Sequence, residues 1–376
     1  MQARDLGRTE RAPVSPATVA SFVGTLVGVI VLIGALLAFD VFLSRVDERE
    51  SSHHAVAEYQ RGVALLDAND PRHAVEHFEA ALAIERENVN FALALGEAQR
   101  RAGDASKAEA TLEDLLKRAE NDGAVNLAMA RVLAGEGRFA ESKSFFHRAI
   151  YGRWGADSLD RRAEARFALI ELLAAHGGGR DLLAELLPLD DVPADSAALR
   201  MRLGRWFLLA GSPARAANQF REVLRRNPEE GDAFVGMGDA ALAQGNFRTA
   251  RADLERGMSL LPSDTTLAPR VAFVDTLLAS DPTARGVDAS DRATRSRALV
   301  DRMLIDLKSC VDRYPGAIAN AATAAVADTV HRGTTPEAMA DSLISLAGEL
   351  WTAYAPRCPV NGRDRVVALL GPRLSQ

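Results

Sequence analysis

Two histidines and a glutamate lie close together in the sequence His73-Ala74-Val75-Glu76-His77. Because residues four apart share one face of a helix, His73 and His77 can bind one zinc ion, and Glu76 can act as a base beside it. This spacing is a weak indication of a zinc hydrolase. No third ligand motif follows, and Ala74 occupies a packing position of the helical repeat described next. We therefore expect no enzyme, with the zinc hydrolase as the weaker alternative.

Small or apolar residues recur every 34 residues along the chain. A fixed period of this length is typical of stacked helical units, none of which can bury its apolar face alone. Two series of this repeat are offset by 40 residues, so six extra residues lie between them, and we place these in a polar loop at 157–162. The series are Gly62, Gly96 and Ala130, followed by Ile170, Gly204, Gly238 and Ala272.

Each repeat has further positions of fixed character. A glycine or asparagine seven residues after the small position can adopt the positive φ that ends a helix. Twelve residues after the small position another small side chain lets two helices approach closely, and sixteen residues after it a large apolar side chain fills the groove between pairs. The large residues are Phe78, Leu112, Phe146, Leu186, Phe220 and Leu254.

This pattern resembles the tetratricopeptide repeat, a helix–turn–helix unit of 34 residues. The resemblance implies an all-α solenoid over residues 55–264. In the fourth copy Leu182 replaces a small residue, so this copy is degenerate. The six copies are predicted at 55–88, 89–122, 123–156, 163–196, 197–230 and 231–264.

An apolar stretch precedes the repeats. Residues 17–39 contain only three polar side chains, and a helix of this length spans about 34 Å, enough for a bilayer core. We predict a short tail at 1–16, one transmembrane helix at 17–43 and a connector at 44–54. A cleaved signal peptide is the alternative, although its apolar region is shorter and ends in small residues. The connector has no glycine or proline, so one continuous helix into the first repeat is expected.

The basic residues beside this stretch indicate its orientation. Three arginines precede it and two follow it, which favours a cytoplasmic N-terminus slightly. The predicted location is therefore the bacterial inner membrane, with the C-terminal domain in the periplasm. Inverted topology is the alternative. The two cysteines, Cys310 and Cys358, can form a disulfide in a translocated domain, or they are two unrelated buried thiols.

The repeat pattern loses its second half after Pro262. We predict a seventh first helix at 267–279 and further helices at 291–313, 317–331, 336–354 and 363–369. A repeat stack needs a cap with a polar outer face at its open end. Residues 265–376 are therefore predicted to be a helical C-terminal cap.

In tetratricopeptide arrays the first helix of each pair lines a concave groove that receives a peptide or helix of a partner. The resemblance implies the same use here. Arginines in such a groove favour an acidic or C-terminal carboxylate ligand, because a guanidinium pairs with two carboxylate oxygens. The predicted partner-binding residues are Tyr59, Glu97, Arg100, Arg101, Arg131, Arg205 and Asp239. The equivalent inward positions hold Val63, Leu66, Asn90, Leu93, Leu127, Met201, Leu208, Asp232 and Val235.

The composition and the lack of motifs argue against several classes of ligand. The net charge of −6 supplies no basic face for nucleic acid. No motif indicates a cofactor or a small-molecule substrate. We expect a membrane-anchored interaction subunit that stabilises or assembles a larger respiratory, photosynthetic or secretory complex. A transient envelope assembly factor or chaperone is the alternative, although the asparagine of the chaperone-binding carboxylate clamp is missing.

Overall fold

A computed structural model describes most of the chain. It covers residues 16–155, 158–190, 196–311, 335–354 and 364–375, and for 16–31, 33, 41–49, 307–311 and 353–354 it describes the backbone only. These residues form α-helices joined by short turns. They group into two compact units that meet in sequence between Ala168 and Leu169, and each unit is described by itself.

The first unit stacks helical hairpins. Each helix from α1 to α5 packs on its successor, and α1, α3 and α5 also contact one another in order. This is the expected arrangement, in which the first helices of successive pairs form one layer. The helices are α1 (Pro16–Asp67), α2 (Pro71–Ile84), α3 (Val89–Ala102), α4 (Ala105–Arg118), α5 (Gly123–Gly135), α6 (Phe139–Tyr151) and α7 (Ser158–Ala175).

The second unit, which begins within α7, continues the pattern and adds further helices. Each helix from α8 to α13 packs on its successor. The helices are α8 (Gly179–Asp190), α9 (Ala197–Leu209), α10 (Pro213–Arg226), α11 (Gly231–Ala243), α12 (Phe247–Leu260), α13 (Leu267–Ser280), α14 (Ala289–Val311), α15 (Pro336–Tyr354) and α16 (Arg365–Leu374).

The turns confirm the predicted helix ends. Asn69, with φ 60°, and Gly103, with φ 88°, adopt the left-handed conformation seven residues after the small position of their repeats. Few residues other than glycine and asparagine tolerate this conformation, which explains why the turn can be read from the sequence. The same conformation recurs at Gly137, Gly177, Gly211 and Gly245.

The small and large positions pack as expected. A β-carbon added at Gly62 would lie 2.6 Å from the Phe78 ring, and one added at Gly238 would lie 2.7 Å from Leu254. Both large side chains are almost completely buried. Because glycine has no side chain, the two helices of a pair can approach closely, and the large residue fills the space between them.

The predicted loop at 157–162 is wrong for Ser158 to Arg162, which form the first turns of α7. Residue 157 lies outside the described residues. A serine and Asp160 suit the start of a helix, where a hydroxyl can cap it and a carboxylate meets the positive end of the helix dipole. No glycine or proline follows up to Ala175. The extra residues therefore lengthen α7 to 18 residues, compared with 13 or 14 in α3, α5, α9 and α11.

Helix α1 runs for 52 residues and contains the predicted membrane segment, the connector and the first helix of the first repeat. The expected continuity across 40–54 is thus confirmed. Its apolar side chains Leu32, Leu36, Leu37 and Phe39 are exposed. Among the described residues, no helix is both long enough and apolar enough to cross a membrane.

The helices after Pro262 bury one core with the last repeat. Leu254 of α12, Val274 of α13 and Leu299 of α14 belong to the same cluster as Leu343 of α15 and Val367 of α16. Helices α13 to α16 match the predicted positions. The predicted helix at 317–331 lies outside the described residues, as do residues 1–15 of the tail. The predicted disulfide is also outside them, because only the backbone of Cys310 is described and Cys358 is not.

Candidate partner-binding groove

A groove of about 460 Å³ opens on the first unit, along the layer of first helices. Its floor is apolar, formed by Tyr59 of α1, Leu93 of α3 and Leu127 of α5, and Trp154 adds one wall after α6. Nine of the predicted inward-facing residues lie here. They are Tyr59, Val63, Leu66, Asn90, Leu93, Glu97, Arg101, Leu127 and Arg131.

Aromatic contacts fix the Tyr59 end of this floor. The Tyr59 ring stacks on Phe91 of α3 with ring centroids 5.0 Å apart, and it tilts against Phe78 of α2 at 5.6 Å. Such pairs add stability beyond simple burial. Tyr59 is therefore held in place from two neighbouring helices while it lines the groove.

Trp154, which forms the wall of the groove after α6, is also held in place by its contacts. Its indole Nε1 donates a hydrogen bond to the Ala149 carbonyl at 2.8 Å. Its ring lies against Gly123, where a β-carbon would lie 2.1 Å from the indole. The close approach requires glycine at the start of α5. The sequence pattern alone did not mark Trp154, because it falls between repeat positions.

One carboxylate on α3 is shared by two arginines. Arg100 contacts Glu97 through Nε and Nη2, both at 2.8 Å, and Arg101 Nε donates to the same carboxylate at 2.7 Å. Burial raises the pKa of Glu97, but the two guanidinium groups outweigh it, so the net pKa is below the ordinary value. Arg101 lines the groove, whereas Arg100 is not among the lining residues.

A second carboxylate is shared in the same way on α7. Arg131 donates to Glu164 at 2.7 Å and Arg161 donates to it at 3.2 Å. Burial raises the pKa of Glu164, and the guanidinium groups lower it further than burial raises it. Arg161 lies in the predicted loop at 157–162 and was therefore missed from the sequence, whereas Glu164 lies in the predicted fourth copy, for which no partner-binding residue was predicted.

The arginines of the groove are therefore not free cations, because each of them is paired with a glutamate. Each of two glutamates is shared by two arginines, which leaves an excess of positive charge. Among the described residues, the Nη atoms of Arg101 and the Nε and Nη1 atoms of Arg131 make no hydrogen bond. These donors remain able to contact a carboxylate of a ligand.

Two predicted site residues lie in the second unit. Arg205 of α9 is 3.9 Å from Asp232 of α11, and Arg270 of α13 contacts Asp239 of α11. These pairs link first helices of successive repeats. Their use in partner binding stays a prediction.

The two histidines of the candidate zinc string contact different carboxylates. His73 Nδ1 lies 2.7 Å from Asp70, and His77 Nδ1 lies 2.6 Å from Glu58 of α1. The pKa of Glu58 is lowered, chiefly by its hydrogen bond with His77. Within the described part of the chain, no group of three or more His, Cys, Asp or Glu side chains could hold a metal ion. The string thus joins α1 to α2 through His77, and the geometry gives no support to a zinc hydrolase.

Two stretches match family models described as tetratricopeptide repeat, at residues 65–132 and 201–264. The first extends from α1 to α5 and the second from α9 to α12. Both stretches are tetratricopeptide repeats. Repeats of this kind bind other proteins or peptides, and the first match contains most of the groove floor.

Solved structures with a similar fold were also found. YrrB, a repeat protein with an unusual peptide-binding site, is 18% identical, with a TM-score of 0.43 over 53% of this chain and 99% of that one. The C-terminal part of a repeat protein from Cytophaga hutchinsonii is 12% identical, with a TM-score of 0.47 over 65% and 94%. PilW, a type IV pilus biogenesis factor, is 20% identical, with a TM-score of 0.42 over 58% and 98%. At such scores the likenesses carry no argument about function. No curated protein matches the chain.

Proposed function

We propose that the chain is a protein-interaction scaffold whose first unit holds an extended segment of a partner protein. The observation that carries this proposal is the groove itself. It combines an apolar floor at Tyr59, Leu93 and Leu127 with guanidinium groups at Arg101 and Arg131. A concave apolar surface with a few placed polar groups is typical of a binding site.

The charges of the groove favour one kind of segment. Because three arginines line the groove and only two glutamates, Glu97 and Glu164, pair with them there, the groove attracts a carboxylate without placing an isolated cation in it. The proposed ligand therefore presents an apolar side chain to the floor and an acidic or C-terminal carboxylate to Arg101 and Arg131.

Co-purification of the full chain with its partner tests this proposal. Arg101→Ala and Arg131→Ala together are expected to reduce the amount of partner recovered by about tenfold, since each removes a charge-assisted hydrogen bond. The matched control is Arg118→Ala, because Arg118 also bonds an aspartate one turn earlier but lies on α4, outside the groove. Equal recovery with all variants would contradict the proposal.

The scaffold is further proposed to be anchored in a membrane by residues 17–39. The support is the length and apolar character of this stretch, and α1 continues from it into the first repeat. The repeats would then lie close to the membrane, on the extracytoplasmic side, which is the periplasm of a bacterium. After alkaline carbonate treatment the full chain is expected to stay in the membrane fraction, and a variant lacking residues 17–39 is expected to be released. A reporter fused to the C-terminus tests on which side of the membrane the repeats lie. Reporter activity found only in the cytoplasm would contradict the extracytoplasmic location.

Within this role, we propose a permanent accessory subunit of a larger respiratory, photosynthetic or secretory complex. A transient envelope assembly factor or chaperone is the alternative use of the same groove. Extraction in mild detergent separates the two. A constant, stoichiometric partner complex supports the subunit, whereas recovery of partner only while the complex is being assembled supports the assembly factor.

A further inference from the structure

A second cavity, of about 360 Å³, lies wholly within the second unit. The start of α12, the loop after α13 and the end of α16 form its walls. Its lining is rich in cations, since it contains Arg248, Arg285 and Arg373 but a single carboxylate, Asp281. On a chain with a net charge of −6, this local excess of two positive charges stands out.

Hydrogen bonds fix one wall of the cavity. Asp281 is only 4% exposed, and its Oδ1 accepts hydrogen bonds from the Thr283 amide at 2.8 Å and the Thr283 hydroxyl at 2.7 Å. Its Oδ2 accepts from Arg373 at 3.0 Å, and the Arg373 guanidinium lies over the Phe247 ring. The only carboxylate of the cavity is therefore already occupied by Thr283 and Arg373.

Arg248 and Arg285, the other two arginines of the lining, have no carboxylate partner among the described residues. Arg248 donates from Nη2 to the backbone carbonyl of Arg285 at 2.7 Å, which holds it across the cavity without neutralising its charge. In the part of the chain that the structure describes, neither Arg248 nor Arg285 forms an ion pair, and the Arg285 side chain makes no hydrogen bond. The hydroxyl group of Thr249 lies in the same lining and is also without a partner among these residues.

We propose that this cavity binds a phosphoryl group. The two unpaired guanidinium groups stand on different elements, one on α12 and one on the loop after α13. The two oxygens of a carboxylate lie in one plane, whereas the oxygens of a tetrahedral phosphate point in several directions and can accept from donors on several sides at once. The phosphoryl group can belong to a soluble phosphate compound or to a lipid headgroup, and both sources offer the same chemistry.

Calorimetric titration of the purified full chain with inorganic phosphate, at constant ionic strength in chloride, tests the site. The wild-type chain is expected to show saturable binding, and Arg248→Ala and Arg285→Ala are each expected to weaken it about tenfold. Arg221→Ala is the control, because Arg221 bonds Asn218 on α10 and does not line the cavity. Since the Arg285 side chain has no hydrogen bond to lose, the unfolding temperature of Arg285→Ala should match the wild type.

The source of the group is distinguished by vesicles. If the lipid supplies it, Arg285→Ala reduces binding to phosphatidic acid vesicles but not to phosphatidylcholine vesicles. If a soluble compound supplies it, the substitution affects inorganic phosphate binding alone. The proposal is overturned if the wild-type chain shows no saturable phosphate binding, or if the affinity is the same in Arg248→Ala, Arg285→Ala and the control.

Discussion

Phe220 lies between two glycines of successive repeats. A β-carbon at Gly204, in its own repeat, would lie 2.5 Å from the Phe220 ring, and one at Gly236, in the next repeat, would lie 2.6 Å from it. The ring is fully buried. One side chain therefore fixes both the distance between α9 and α10 and the distance from α10 to α11. Such a contact explains why the repeats form only as a stack.

Gly204→Ala is expected to destabilise the protein by roughly 1–3 kcal/mol, because the added methyl group overlaps a ring that has no space to move. Chemical unfolding monitored by circular dichroism measures the change. The control is Gly135→Ala on α5, where nothing lies within 4 Å of the added carbon.

The control is expected to raise stability slightly, since alanine favours a helix over glycine. Phe220→Leu should recover part of the loss when it is combined with Gly204→Ala. If Gly204→Ala is as stable as the wild type, the close packing of α9 on α10 is refuted.

Glu97 is expected to make stability depend on pH in the acid range. Its pKa is lowered in the folded chain, so its contribution is fully present above the ordinary glutamate value of 4.5 and is lost as the pH falls through the lower folded value. Glu97→Gln should cost about 1 kcal/mol near pH 7, and the difference from the wild type should shrink at a pH well below 4.5.

Unfolding curves at the two pH values measure this effect. Glu113→Gln is the matched control, because Glu113 is exposed on α4 and makes no hydrogen bond within the described residues. It should leave stability unchanged. If the unfolding free energies of Glu97→Gln and the wild type differ by the same amount at every pH, the two arginines do not stabilise the carboxylate.

The stacking of the repeats could be predicted from sequence because few residue types meet its demands. Gly62 and Gly238 are required by close approach, and Asn69 and Gly103 are required by a positive φ. Each of these constraints acts through a fixed distance along the chain, so the 34-residue period reveals them. The helix ends near Asn69 and Gly103 could be predicted for the same reason.

The groove could be predicted only in part, because its charges depend on contacts between repeats. Arg131 and Glu164 are 33 residues apart, and no local pattern marks their pairing. Trp154 lies in a connection outside the repeat positions. The start of α7 differs from the predicted loop because polarity alone does not distinguish a loop from the exposed face of a helix.

The histidine string is expected to serve packing and not metal binding. His77 bonds Glu58 across α1 and α2, whereas His73 is exposed and bonds Asp70 within one turn. His77→Ala should therefore lower the unfolding temperature more than His73→Ala does. Elemental analysis of the purified full chain should find less than one zinc ion per chain, unchanged by either substitution. If the wild-type chain holds one zinc ion and both variants lose it, the result would support a zinc site at these histidines.

The proposed function requires that a partner segment lies in the groove of the first unit. A photoreactive phenylalanine derivative at position 90 tests it directly, because Asn90 is exposed and lines the groove. The same derivative at position 113, on the exposed side of α4, is the control. We expect irradiation in cells to link one partner protein to position 90 and not to position 113, and we expect Arg101→Ala with Arg131→Ala to reduce the amount of this product. Linkage from position 113 with none from position 90, or no effect of the two substitutions, would contradict it.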